Sequence, residues 1–68
     1  MTEQDVERIV RAVLLTKGVN VALRRVAFTG TSWLVILKDP ANRILGFDVP
    51  DGSPAAVREA TERWADVS

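Results

Sequence analysis

The sequence predicts an α+β domain of order α-β-β-β-α, a three-stranded antiparallel meander with both helices packed on one face. Three observations predict it. An amphipathic stripe lies near each end of the chain, two β-rich runs flank an Asp-Pro-Ala-Asn turn in the middle, and a shorter β-like run precedes them across Thr-Gly-Thr. Short connections make sequential strands antiparallel neighbours, and two narrow apolar stripes need one sheet face between them.

From Asp5 to Thr16 the residues Val6, Ile9, Val10, Val13 and Leu14 recur at helical spacing. Thr2 followed by Asp5 has the form of a capping box. Lys17-Gly18-Val19 has the form of a Schellman stop, with glycine in the left-handed position and Val19 folding back on Leu14. Asn20 to Leu23 carries no clear pattern. Arg24 to Phe28 alternates as a strand, with Val26 and Phe28 on one face and Arg25 and Ala27 on the other.

Between Ser32 and Val49 the pattern is harder to orient, because Trp33 to Leu37 is apolar on both faces. A three-residue loop, Thr29-Gly30-Thr31, sets Phe28 against Ser32 and Val26 against Leu34. A two-residue turn sets Arg25 beside Ile36 on the buried face, which costs desolvation, so the longer loop is expected. A four-residue loop, Asp39 to Asn42, sets Lys38 against Arg43, Ile36 against Leu45 and Leu34 against Phe47. The expected core face is then Leu34, Ile36, Leu45, Phe47 and Val49. Its opposite is Trp33, Val35, Leu37, Ile44 and Gly46, with Ala27 and Arg25. Pro50 and Asp51-Gly52 end the sheet, and Ser53-Pro54 starts a helix whose inner stripe is Ala56, Val57, Ala60, Trp64 and Val67. Glu59 and Arg63 are spaced for an ion pair on its outer side.

Sixty-eight residues make one domain, residues 1–68, near the lower size limit for folding without staples. There is neither cysteine nor histidine, which removes thiolate and histidine metal sites, catalytic triads and the histidine general base. No cofactor is expected and the chain reads as a non-enzyme. The opening Thr-Glu-Gln-Asp lacks a basic leader and no apolar run spans a bilayer, so the expected compartment is the cytoplasm, with no membrane partner. Formal net charge is zero, yet residues 17 to 43 hold Lys17, Arg24, Arg25, Lys38 and Arg43 against Asp39 alone, about +4. Residues 44 to 68 hold Arg58 and Arg63 against Asp48, Asp51, Glu59, Glu62 and Asp66, about −3.

Local polar clusters read as turns. Asp48, Asp51 and Gly52 lack the alternating ligands of a calcium loop, and Thr29 to Ser32 lacks the spacing and lysine of a P-loop. The apolar fraction, 47%, is generous for a small chain, which points to surface shared with a partner. The expected binding surface is the open sheet face: Trp33, Val35, Leu37, Ile44, Gly46, Ala27 and Arg25, with Trp33 as its anchor. The expected partner is a second copy in a homodimer, or another protein. The alternative is RNA or single-stranded DNA on the same face, stacked on the aromatic side chain and held by a rim of Arg24, Arg25, Lys38 and Arg43.

In element order and length the chain also resembles the double-stranded RNA-binding domain. That family carries a lysine cluster at the start of its second helix. The equivalent stretch here is Pro54-Ala55-Ala56-Val57-Arg58 with Asp51 before it, so the resemblance extends to topology and not to the phosphate grip.

Overall fold

The computed structural model describes residues 1–67. Its elements are α1 (Glu3–Lys17), β1 (Ala22–Phe28), β2 (Trp33–Lys38), β3 (Ile44–Val49) and α2 (Pro54–Asp66). The sheet is an antiparallel meander of order β1-β2-β3. The helices pack on each other and on one face of the sheet, α1 over β1 and α2 over β3. The predicted architecture is the observed one.

The caps form as their residues dictate. The Asp5 N–H donates to Thr2 Oγ1 at 3.3 Å and the Thr2 N–H donates to Asp5 Oδ2 at 2.9 Å, closing the capping box. At the other end Gly18 takes φ +69°, and the amides of Gly18 and Val19 donate to the carbonyls of Leu15 and Leu14. In α2 the Ala56 N–H donates to Ser53 Oγ at 3.2 Å, with Pro54 in the first turn. The two helices run side by side in the same direction. Their C-terminal ends are joined by Lys17 Nζ and Asp66 Oδ1 at 2.8 Å, while Asp5 and Pro54 border one depression at their starts.

The register of β2 departs from the expectation in both hairpins, by one residue each. In the first, the Thr29 N–H donates to the Ser32 carbonyl at 2.9 Å around a two-residue turn, Gly30-Thr31, with Gly30 at φ +97°. Phe28 therefore faces Trp33 and Val26 faces Val35, instead of Ser32 and Leu34. Glycine at the first central position is what a tight hairpin turn of this length needs. In the second, the Asp39 N–H donates to the Arg43 carbonyl at 3.1 Å, and Asn42 takes the left-handed conformation at φ +66°. Asp39 and Arg43 thus pair around the three-residue loop Pro40-Ala41-Asn42, whose last position is left-handed, a conformation that asparagine tolerates better than most side chains. Lys38 consequently faces Ile44 rather than Arg43, and Leu37 faces Leu45.

Because side chains alternate along a strand, a one-residue shift turns all of β2 over. Trp33, Val35 and Leu37, expected on the open face, are 5%, 0% and 0% exposed and lie in the core with Val6, Val10, Leu14, Val26, Val49 and Val57. Leu34 and Ile36, expected in the core, lie on the opposite side and are only half-buried. The core side of the sheet is three rows of paired apolar residues: Leu23-Leu37-Leu45, Val26-Val35-Phe47 and Phe28-Trp33-Val49. Leu23 and Val26 reach the same side although three residues apart, because a bulge at Arg24 resets the alternation of β1.

Along α2 the deepest residues are Val57, Thr61 and Ala65. The Thr61 hydroxyl donates to the Val57 carbonyl at 2.7 Å, so its burial leaves no polar atom unsatisfied. Val67, expected on the inner stripe, is exposed because the helix ends at Asp66. Ala56, Ala60 and Trp64 pack on the core as expected, with Trp64 stacked on Phe47 at 5.7 Å between ring centres. Glu59 and Arg63 pair at 2.9 Å on the outer side.

Candidate functional site

The open sheet face is a three-by-three grid. Its rows, read across β1, β2 and β3, are Ala22-Lys38-Ile44, Arg25-Ile36-Gly46 and Ala27-Leu34-Asp48. Leu34 and Ile36 occupy the middle, and Ile44 is 63% exposed. Both helices lie on the other face, so neither covers this one. Of the residues expected here, Ile44, Gly46, Ala27 and Arg25 are present. Trp33, Val35 and Leu37 are replaced by Leu34 and Ile36, expected in the core.

Gly46 has a cause within the sheet. A Cβ at this position would stand 2.9 Å from the Val35 carbonyl oxygen, closer than any side chain tolerates, so the approach of β3 to β2 itself requires glycine.

The basic rim is partly dismantled by local bonding. Arg43 belongs to the β2–β3 turn: its Nε donates to Asp39 Oδ2 at 2.7 Å and its backbone N–H donates to Asp39 Oδ1 at 2.8 Å. These donors, the backbone amide of Arg43 first, hold the Asp39 carboxyl below its ordinary pKa. Arg24 and Arg25 are exposed on the β1 edge, and Lys38 is half-buried at the end of β2. None of these three makes an ion pair among the described residues. Charge on the edge strand also discourages pairing with a stray strand, as does the bulge at Arg24.

The chain has four aromatic residues, Phe28, Trp33, Phe47 and Trp64, and none of them is on the open face. Phe28 lies against Trp33 at 4.9 Å on the core side, and Phe47 lies against Trp64. The stacking platform that single-stranded nucleic acid requires is therefore not on this surface.

The other surfaces offer less. A groove of about 290 Å³ between the helices is lined by Ile9, Val13, Thr16, Lys17, Arg58 and Glu62. A depression of about 530 Å³ at the helix starts is bordered by Met1, Asp5, Arg8 and Pro54, but Asp5 is committed to the capping box, whose hydrogen bonds from Thr2 lower its pKa. Among the described residues no cluster of three potential metal-binding side chains stands together. No helix among them is long and apolar enough to cross a membrane.

No protein-family model matches the chain, and neither does any curated protein or solved structure.

Proposed function

We propose that the chain is a non-catalytic cytoplasmic protein-interaction module whose binding surface is the open sheet face. The observation that carries this reading is the bare face itself. Leu34, Ile36 and Ile44 stand on a surface that neither helix covers, in a domain whose two helices both pack on the other sheet face. An antiparallel sheet with one solvated face ordinarily alternates apolar and polar residues, and a bare face with aliphatic residues at its centre marks an interaction site. The rim fits the same role. Arg25, Lys38 and Asp48 surround the aliphatic centre with both signs of charge, the pattern of an apolar core within a polar border.

The test is site-specific photo-crosslinking in cells that make the chain, with a benzophenone side chain in place of Ile36 or, as a control, of Arg58 on α2. Protein adducts that form from the Ile36 position and not from the Arg58 position support the reading. Equal labelling from both positions, or none from Ile36, overturns it.

A further inference from the structure

We propose that the occupant of the open face is a second copy of the chain, seated sheet against sheet about a two-fold axis parallel to β2; this deepens the reading above and rests on it. Two stacked sheets lie about 10 Å apart with their strands nearly aligned. A two-fold axis along β2 then sets each residue of β1 over the residue in the same row of the partner's β3. The three resulting matches are complementary in size: Ala22 meets the partner's Ile44, Arg25 meets the partner's Gly46, and Ala27 meets the partner's Asp48. In every match a large or polar side chain meets a small residue, which is how facing layers interdigitate.

The matches are also complementary in charge. Arg25 lies over the space that Gly46 leaves, and the partner's Asp48 stands two residues further along the same strand, about 7 Å away. The two-fold repeats the pair, so both cations of this kind meet an anion. Leu34 and Ile36 lie on the axis and meet their own copies. Lys38 also lies on the axis and meets the partner's Lys38, but at the end of the face, where the long stems pack and the two ammonium groups diverge into water.

The other two-fold that stacks these faces runs across the strands, and it fails on the same grid. It sets Arg25 over the partner's Arg25 and Lys38 over the partner's Leu34. Zero net charge adds no overall repulsion between copies. The footprint is small. Three strands at about 4.8 Å and six residues at about 3.4 Å cover roughly 300 Å² in projection, against about 800 Å² per partner in a standard interface. The dimer is accordingly weak and reversible.

Sedimentation equilibrium from about 10 μM to 1 mM tests it, using the whole chain and the variants Arg25→Asp and Asp48→Arg. Both positions are exposed, and circular dichroism establishes that each variant is folded. The wild-type chain is expected to approach twice its monomer mass over this range. Each variant alone places two like-charge pairs in the dimer and associates about tenfold more weakly. An equimolar mixture of the two variants restores association, because the mixed dimer regains both opposite-charge pairs. A wild-type monomer at 1 mM, or a mixture no better than its components, overturns the arrangement. The dimer and the general reading fail separately: adducts from Ile36 only to a protein of different mass would overturn the dimer and leave the face an interaction surface with another occupant, whereas no adduct from Ile36 would overturn the general reading.

Discussion

Replacing Leu37 by alanine and, in a second variant, Ile36 by alanine removes the same number of carbon atoms from adjacent positions of β2, with opposite expected weights. Leu37 is fully buried, in a row with Leu23 and Leu45 beneath the helices. Truncating a core leucine costs about 2 to 5 kcal/mol through lost transfer energy and the cavity left behind, and a domain of this size has only about 3 to 5 kcal/mol in total. Leu37→Ala should therefore lower the melting temperature by roughly 8 to 40 °C, at about 4 to 8 °C per kcal/mol, and leave part of the population unfolded. Ile36 is half-buried between Arg25 and Gly46 on the face that folding leaves bare, so Ile36→Ala should cost within about 1 kcal/mol. Urea titration followed by the fluorescence of Trp33 and Trp64 reads both. The protein is held near 5 μM, below the roughly 10 μM to 1 mM range over which association is expected. An Ile36→Ala variant that loses as much stability as Leu37→Ala would refute the register and, with it, the identity of the open face.

Two further outcomes follow from local geometry. Gly46→Ala places a methyl group against the Val35 carbonyl and should cost about 1 to 3 kcal/mol, as overpacking does, measured by the same titration; an unchanged midpoint would show that β3 has room to move. The carboxyl of Asp39 has its folded pKa below the unfolded value, so its contribution is present above about pH 4 and is lost as pH falls through the folded pKa. Melting temperatures of wild type and Asp39→Asn should differ at pH 7 and converge as pH falls below the ordinary carboxylate range, whereas a pH-independent gap would mean that the charge of Asp39 plays no part in holding the turn.

Both helices were legible because their signals are local. Thr2 with Asp5, Gly18 with Val19, and Ser53 with Pro54 each fix a terminus through hydrogen bonds to neighbours a few residues away. The sheet's order was legible for a similar reason, since short loops leave few topologies. The facing of β2 was not, because Trp33-Leu34-Val35-Ile36-Leu37 offers no polar residue to say which side is wet. The decision then fell to Arg25, whose pairing with Ile36 was rejected as a buried charge. That pairing is the observed one, and it places both residues on the open side. The turns held better information. Gly30 suits the first central position of a two-residue turn, and Asn42 suits the left-handed last position of a three-residue loop, and together they set the parity of both hairpins. Tryptophan's preference for interfaces points Trp33 outward, but in a small domain its large apolar area serves the core.

The ion pair between Lys17 and Asp66 joins positions 49 residues apart, and the helices that it ties are the first and last elements of the domain. The hairpins form from neighbours in sequence, but the layer above them closes only when the two ends meet, which raises the average sequence separation of native contacts. A chain interrupted anywhere before α2 leaves the stripe of Val6, Val10 and Val13 without its second wall. The domain is therefore expected to fold as one cooperative unit, with no shorter piece of it holding the structure alone.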